Sequence, residues 1–268
     1  MTAKGRTDRH RVAGRIPTLI FGPVDSRRYG RSLGVNLLPA NRKICDFNCP
    51  YCECGWTEVA ASRAPEAALF PPAGDVLAAL EADFRARRDA GETLDTITFA
   101  GNGEPTMHPE FVAIAAGTRA LRDRHFPRAT LVLLSAATNL DRADVRDALG
   151  AFDVRVMKLD AGTEAGFRAV NMPVGKYTLA RVVADLKTLR GIVIQAMFVR
   201  GRVDNTTEEE IAAWIRLVGE IRPESVQIYS LDRAAPDARL EPVPFETLRA
   251  IAARVTRETG IPAEAFPS

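Results

Sequence analysis

Six short apolar stretches, each followed by a segment with helical periodicity, run through the chain from residue 33 to residue 258. They predict strands at 33–38, 94–99, 130–134, 154–159, 192–198 and 225–231. Several are β-branched and apolar almost throughout, which is typical of strands covered on both faces. Strict alternation of strand and helix predicts a parallel sheet with right-handed crossovers. Six units are two short of a TIM barrel, so we predict an α/β fold, a partial (β/α)6 TIM-type barrel, with a doubly wound open sheet as the alternative.

The segments between these strands carry apolar residues three and four positions apart, which predicts helices with one buried face. The first helix is predicted to begin with Asp75 as its N-cap, and a short helix is predicted to start at Asp141. Thr207 and Glu210 form a capping-box pattern at the start of a further helix. The remaining helices are predicted near 111–121, 179–189 and 245–258.

Composition and charge are ordinary for a soluble globular protein: 46% of the 268 residues are hydrophobic, 26% are charged, and the net charge is +2. The basic residues are unevenly placed, because residues 4–15 carry five lysines and arginines against one aspartate. This stretch is either a solvated terminus or an arm for nucleic acid or an acidic partner. We predict a basic, flexible segment at 1–20 and one domain at 21–268. No apolar run approaches the roughly 20 residues of a membrane span, and no apolar secretory region follows Met1.

All four cysteines lie within ten residues, whereas a disulfide-stapled secreted fold would spread them along the chain. A reduced, cytoplasmic setting is therefore predicted. Cys45, Cys49 and Cys52 are separated by three and then two residues, on the loop after the first predicted strand. Such spacing can occupy three corners of a cuboidal iron–sulfur cluster. Most electron-transfer clusters take four cysteines, so three leave one iron open to a substrate or cofactor.

Zinc is the competing interpretation of these cysteines. Structural zinc usually takes ligand pairs from separate parts of the chain, and here a fourth thiolate would have to come from Cys54, close behind Cys52. A zinc or redox-sensing module would make the protein a non-enzyme. The part played by Cys54 stays open between a thiol beside the cluster, a catalytic hydrogen-atom donor and a bystander.

The Cys-x3-Cys-x2-Cys spacing, with Tyr51 before the last cysteine, resembles the signature of the radical SAM superfamily. The stretches FGPVDSRR at 21–28 and SLGV at 32–35 are similar to a narrower group of uncharacterised Fe–S oxidoreductases related to wybutosine-type tRNA-modifying enzymes. The resemblance extends from about residue 21 to residue 244. It implies an oxidoreductase or transferase in which a [4Fe–4S] cluster on Cys45, Cys49 and Cys52 binds S-adenosyl-L-methionine (SAM).

The same resemblance implies the chemistry and a partner. A one-electron donor such as flavodoxin or ferredoxin would reduce the cluster, and reductive cleavage of SAM would give a 5′-deoxyadenosyl radical that abstracts hydrogen from a substrate. The substrate is left open between a nucleoside in tRNA or another RNA, a small metabolite, and a glycyl-radical enzyme that is activated. Arg27, Arg28 and Arg31 precede the first strand and could either grip a phosphate-bearing substrate or form surface ion pairs.

Chemistry in parallel β/α barrels lies at the carboxyl ends of the strands. The second predicted strand ends in Gly101, Asn102, Gly103 and Glu104, followed by a proline. Glycine lets backbone approach a ligand closely. The run is similar to the superfamily's Gly-Gly-Glu-Pro motif, which implies that it binds the methionine ammonium of SAM.

Other strand ends are polar as well, which suggests one shared pocket. Small polar groups end the third strand and suit the SAM carboxylate or ribose, with helix capping as the alternative. A lysine and an aspartate end the fourth and suit the carboxylate and the ribose hydroxyls, with a mutual ion pair as the alternative. An amide inside the apolar fifth strand is costly unless it meets a ligand. The resulting candidate SAM contacts, beside Tyr51 and the 101–104 run, are Ser135, Asn139, Lys158, Asp160, Gln195 and Tyr229.

Overall fold

A computed structural model of the chain describes residues 14–60 and 66–267. The strands are β1 (Ile20–Ser26), β2 (Gly30–Val35), β3 (Ile44–Cys45), β4 (Val59–Ala60), β5 (Thr96–Phe99), β6 (Thr130–Ser135), β7 (Val154–Lys158), β8 (Ile192–Met197), β9 (Val199–Gly201), β10 (Ser225–Tyr229), β11 (Leu240–Pro242) and β12 (Ala263–Ala265). The α-helices are α1 (Ala73–Asp89), α2 (Phe111–His125), α3 (Ala143–Ala148), α4 (Glu164–Val170), α5 (Leu179–Lys187), α6 (Glu208–Ile221) and α7 (Phe245–Thr259).

The central sheet runs in the order β1-β2-β5-β6-β7-β8-β10-β12, and only the β1–β2 pair in it is antiparallel. The sheet curls into a partial barrel. Side chains near β2 and near β10, which lie far apart in the strand order, come into contact. The Tyr29 hydroxyl, just before β2, donates to Gln227 on β10 at 2.8 Å, and Arg27 pairs with Asp232 at 2.8 Å. Four strands separate β2 from β10 in the sheet. The predicted partial barrel is confirmed.

Two apolar layers hold this sheet. Outward-facing side chains of the strands pack against the helices, and α1 contributes its buried stripe of Val76, Leu80 and Phe84 to this layer. A smaller cluster fills the base of the barrel on the inner face, with Val132, Val156, Val193 and their partly buried neighbours Tyr29, Leu134 and Val154. The barrel mouth above this cluster is where the polar strand ends collect.

All six predicted strands are present, with shifted ends. The first was predicted at 33–38 but ends at Val35. The Asn36 N–H still donates to the Leu19 carbonyl at 2.7 Å, but the Asn36 side chain bonds the backbone of Leu38. Its amide donates to the Leu38 carbonyl at 2.9 Å and its side-chain oxygen accepts from the Leu38 N–H at 3.2 Å. Sequence patterns did not predict the antiparallel strand β1 or the short edge strand β12, which pairs with β10.

The predicted N-cap of the first helix is wrong. Pro72 occupies the N-cap position without a side-chain hydrogen bond, and Asp75 lies inside the first turn. A tertiary contact does the capping, since the Ala73 N–H donates to the Glu110 carboxylate at 3.0 Å. A local pattern could not reveal this partner, because it arrives from the start of another helix.

Only one of the two hydrogen bonds of the predicted capping box on α6 is present. Thr207 caps the helix by accepting from the Glu210 N–H at 3.3 Å. The Glu210 side chain does not reach back to Thr207. It is buried, and its carboxylate accepts from the Gly162 N–H at 2.9 Å, the Thr163 N–H at 3.3 Å and the Thr163 hydroxyl. Glu210 therefore fastens the loop after β7 to α6.

The segment predicted to be flexible, 1–20, lies mostly outside the described residues. Of the described part, Ile16 is fully buried, and Arg15 donates to the Cys54 carbonyl at 3.0 Å. This part of the segment packs against the fold. No helix in the described ranges is long and apolar enough to cross a membrane.

Replacing Glu210 with alanine tests the tie between α6 and the loop after β7. Glu210→Ala leaves two backbone donors and a hydroxyl without their acceptor, so we expect a loss of about 2 kcal/mol or more in the free energy of unfolding. The matched control is Glu209→Ala, at an exposed position in the same helical turn, which should change it by about 0.5 kcal/mol or less. Urea unfolding measures both, and equal effects would contradict the assigned tie.

Candidate cluster and cofactor site

The four cysteines lie on one loop, residues 44–54, which we call the cysteine loop. All are free thiols; Cys45, Cys49 and Cys54 are buried and Cys52 is partly buried. Two of the sulfurs accept weak hydrogen bonds: Cys45 from the Phe47 N–H at 3.5 Å and Cys49 from the Asn171 amide at 3.7 Å. Donors of this kind tune iron–sulfur clusters. The Cys54 side chain, and after it the charge of Lys43, lower the pKa of Cys52 against the effect of burial.

Lys43 supplies the positive charge beside these sulfurs. Its side chain is buried, with the ammonium donating to the Gly55 carbonyl at 2.9 Å. Burial alone would lower the pKa of Lys43, but the neighbouring sulfurs of Cys52, Cys45 and Cys49 raise it above its ordinary value. Burial raises the pKa of Cys45 and of Cys49, and Lys43 opposes that rise. Three sulfurs facing one buried cation form a donor set that suits thiolate ligands of an iron–sulfur cluster. Among the described residues, no group of three or more His, Cys, Asp or Glu side chains surrounds a single metal-ion position.

The strand-end run 101–104 is paired directly to the cysteine loop. The Ile44 N–H donates to the Asn102 carbonyl at 3.1 Å, and the Glu104 N–H donates to the Ile44 carbonyl at 3.1 Å. Gly103 sits between them at a φ of +136°, and a Cβ there would lie 1.7 Å from the Ile44 carbonyl oxygen. Only glycine allows this approach. The Cys54 thiol adds a bond to the Gly101 carbonyl at 3.0 Å.

Glu104 is buried at the floor of the site and is nearly saturated with donors. Its Oε1 accepts from the Thr106 N–H at 3.1 Å, the Thr106 hydroxyl at 2.5 Å and the Ser135 hydroxyl at 2.8 Å. Its Oε2 accepts from the Ala136 N–H at 2.6 Å. Burial raises the pKa of Glu104, and these donors oppose the rise. One acceptor position on Oε2 is left for a further donor.

A second buried carboxylate, Asp46, connects the cysteine loop to the end of β6. Its Oδ2 accepts from the Thr138 hydroxyl and from the Asn139 amide at 3.1 Å, and its Oδ1 accepts from the Tyr177 hydroxyl at 3.0 Å. The Asn139 amide also donates to the Thr106 hydroxyl at 3.0 Å, which joins this network to that of Glu104. The predicted candidates Glu104, Ser135 and Asn139 are thus brought together.

Asp160 organises the opposite side of the site. Its Oδ2 accepts from the Tyr51 hydroxyl at 2.5 Å and the Asn171 amide at 2.6 Å, and its Oδ1 accepts from the Met197 N–H at 2.8 Å. The Lys158 ammonium lies 3.5 Å from Oδ1. The ion pair considered from the sequence is therefore present. With four partners on two oxygens, the carboxylate is saturated and orients its neighbours.

Lys158 is surrounded by aromatic and amide groups of the barrel mouth. Its ammonium lies 5.1 Å from the ring centre of Tyr51 and 3.4 Å from the Tyr229 hydroxyl, which donates to the Gln195 oxygen at 3.2 Å. Burial would lower the pKa of Lys158, but Asp160 and the nearby tyrosine raise it, so the side chain carries a charge. Five candidates, from the cysteine loop, the end of β7, β8 and β10, thus meet in one cluster: Tyr51, Lys158, Asp160, Gln195 and Tyr229.

Asn102 is the candidate whose side chain faces elsewhere. It is fully buried, accepts from the Ile16 N–H at 2.9 Å, and donates to the Ile16 and Pro39 carbonyls at 2.8 and 2.9 Å. Any contact of Asn102 with a cofactor would therefore use its backbone. Sequence reasoning did not single out Lys43, Asp46 or Asn171 as site residues. Lys43 and Asp46 are charged residues beside and inside the cysteine motif, and this position could have identified them. No motif or neighbouring residue in the sequence pointed to Asn171.

A cavity of about 230 Å³ opens at the barrel mouth beside these groups. We call it the mouth cavity. Its floor and walls come from β1, β2, β5, β6, β8 and β10, and it reaches Gly101 and Tyr229 of the candidate site. Three arginines line it, Arg27, Arg28 and Arg233, together with Asp25, Glu53 and Asp232. Arg31 lies outside and forms a surface pair with Glu92 at 2.5 Å.

Comparison with solved structures identifies the class of fold. A radical SAM methyltransferase from Sphaerobacter thermophilus superposes with a TM-score of 0.64 at 19% identity, covering 88% of this chain and 66% of that one. TYW1 with a lysine–pyruvate adduct bound superposes with a TM-score of 0.55 at 13% identity, covering 85% and 74%. The chain therefore has the fold of the radical SAM enzymes, as the cysteine motif predicted.

By sequence, the chain is similar to a UPF0026 protein of Synechocystis sp. The two are 29% identical over 272 residues, which cover 92% of this chain and 96% of the relative. No protein-family profile matches the chain. The similarity to uncharacterised proteins agrees with the uncharacterised radical SAM group that the stretch at 21–35 resembles.

Substitution of Gly103 tests the pairing between the strand end and the cysteine loop. Gly103→Ala puts a methyl group into the Ile44 carbonyl and imposes a backbone conformation that is essentially restricted to glycine, so we expect a loss of about 3 kcal/mol or more in unfolding free energy. Gly74→Ala is the control, since a Cβ there meets nothing within 4 Å and stability should hold or rise slightly. Denaturant unfolding decides. Wild-type stability in Gly103→Ala would refute the close approach.

Proposed function

We propose that this protein is a radical SAM enzyme in which Cys45, Cys49 and Cys52 hold a [4Fe–4S] cluster. When bound, a cluster with one open iron supplies the electron that reductively cleaves SAM, giving methionine and a 5′-deoxyadenosyl radical that abstracts hydrogen from a substrate. The electron comes from a separate one-electron donor of the flavodoxin or ferredoxin type. Free thiols throughout the cysteine loop are consistent with a reducing, cytoplasmic compartment.

The observation that carries the proposal is the backbone pairing of Ile44 with residues 102 and 104. It fixes the cysteine loop against the strand end whose sequence resembles the SAM-ammonium motif. Ligands of the cluster and ligands of the cofactor then share one rigid edge of the barrel. Rigid placement matters because the difficult chemistry belongs to the cofactors, and the protein contributes orientation and exclusion of water.

Hydrogen-bonding positions that are still open support different roles for the candidate SAM ligands. The open acceptor position on Glu104 Oε2 suits an ammonium group, and the Asn139 side-chain oxygen, with no donor among the described residues, suits a hydroxyl. The Lys158 ammonium has three N–H donors and two partners, Asp160 and the Tyr229 hydroxyl, so one N–H remains for the SAM carboxylate. Asp160 acts by holding Tyr51 and Lys158 in place.

A reconstitution experiment tests the assignment of the cluster. After anaerobic loading with iron and sulfide, the protein should turn brown, hold about four irons with labile sulfide, and release 5′-deoxyadenosine from SAM and dithionite. Cys49→Ala should lose the cluster and the product. Cys54→Ala is the matched control for loading and should keep its iron and sulfide.

Two outcomes would refute the proposal. One is 5′-deoxyadenosine formed at the wild-type rate by Cys49→Ala. The other is a colourless protein that holds one zinc, which would instead support a structural or redox-sensing module.

A further inference from the structure

The arginines of the mouth cavity differ in one respect, which is whether an acidic side chain neutralises them. Arg27 pairs with Asp232 at 2.8 Å, and Arg233 pairs with Glu53 at 2.5 Å. Arg28 forms no ion pair with any residue of the described ranges. The carboxylate of Asp25 also lines the cavity, but it is exposed at the rim and lies beyond ion-pair distance from Arg28.

Arg28 is held in a fixed position although it has no acidic partner. Its guanidinium carbon lies 4.4 Å from the ring centre of Tyr229 and 5.9 Å from that of Tyr29. Both tyrosine hydroxyls are hydrogen-bonded, to Gln195 and Gln227, so the two rings are themselves fixed. Aromatic stacking uses the face of the planar guanidinium, so a planar or tetrahedral anion would bind along its edge.

One nitrogen on the edge of that guanidinium lacks a partner. Nη1 of Arg28 is buried and forms no hydrogen bond in the described structure. A buried donor without an acceptor is costly, and native structures rarely keep one unless something else satisfies it. The nitrogen belongs to a side chain that lines the mouth cavity, where a ligand could supply the acceptor.

We propose that Arg28 is a specificity-determining residue that anchors the acidic group, carboxylate or phosphate, of a small substrate in the mouth cavity. That the bound molecule is a substrate rests on the proposed radical SAM function, whereas the binding of an anion by Arg28 does not. Arginine forms two parallel charge-assisted hydrogen bonds to either group, which fixes the orientation of the bound molecule. Tyr229 also contacts Lys158, so the anchored molecule lies next to the candidate SAM contacts.

The size of the cavity favours a small acid over a polynucleotide. About 230 Å³ is below the roughly 300–1,000 Å³ of pockets that enclose drug-sized ligands. Among the three arginines of the segment 27–31, only Arg28 is left without an acidic partner within the described residues, because Arg27 and Arg31 are neutralised by Asp232 and Glu92. One arginine without an acidic partner differs from the patch of several basic side chains that binds a nucleic-acid backbone.

Calorimetric titration of the reconstituted protein with inorganic phosphate and, separately, with succinate tests the proposal. We expect at least one of the two anions to bind, and Arg28→Gln to weaken that binding about tenfold or more because the charge and the fork are lost. Arg28→Lys keeps the charge without the fork and should fall between. Arg31→Gln removes the same charge outside the cavity and should bind like wild type.

The separate titrations distinguish the source of the acidic group. Binding of phosphate alone indicates a phosphorylated substrate, and binding of succinate alone indicates a carboxylic acid; either supports the proposal. Thermal unfolding of each variant checks that it is folded. If Arg28→Gln does not fold, the comparison of Arg28→Lys with Arg31→Gln carries the test.

Several results would overturn the inference. Binding of neither anion would do so, and so would equal affinity in wild type and Arg28→Gln. If saturating SAM prevents the anion from binding, Arg28 serves the SAM carboxylate instead. If only a tRNA fragment binds with dependence on Arg28, the ligand is a nucleic acid. Release of 5′-deoxyadenosine by wild type is measured in parallel, so that failed anion binding and failed SAM cleavage are told apart.

Discussion

The backbone pairing between Ile44 and the strand end at 102–104 is the constraint on which the candidate site depends. It brings the cysteine loop, which has almost no regular structure of its own, into register with the parallel sheet. The pairing is possible only because Gly103 has no Cβ. A loop placed in this way holds Cys45, Cys49 and Cys52 at the edge where the parallel strands end, and this edge is where such barrels carry out chemistry.

Three buried carboxylates then stiffen that edge. Asp46, Glu104 and Asp160 are each almost inaccessible to water, so each needs hydrogen-bond donors to offset its desolvation. The donors come from different strands and loops, and each carboxylate therefore fixes several segments at once. The same networks determine which polar groups keep an unused hydrogen-bond donor or acceptor, namely Glu104, Asn139 and Lys158. Arg28 belongs to a different group, because aromatic rings fix it and no carboxylate neutralises it.

How much could be predicted from the sequence varied with the range of the interaction. Apolar β-branched runs located all six strands of the β/α units, because burial on both faces leaves a continuous local signal. Strand ends and caps were less predictable. The first strand ends before Asn36, whose side chain bonds Leu38, and Glu110 provides the cap that was expected from Asp75. Asn102 followed a recognisable motif, yet its side chain serves the segment near Ile16, some 86 residues earlier.

The sequence by itself determined the class of fold, the three-cysteine spacing and the strand ends where polar groups accumulate, since each of these is written in neighbouring residues. Only the tertiary structure decided which of those polar groups already bond to other residues of the protein. Asp160 looked like a ribose ligand and is saturated by Tyr51, Asn171, Met197 and Lys158. Arg27, Arg28 and Arg31 look alike in sequence, but only Arg28 lies against the Tyr229 ring without an acidic partner in the described chain. Hydrogen-bond valence and charge pairing depend on distant residues, and the curled sheet is what brings those residues together.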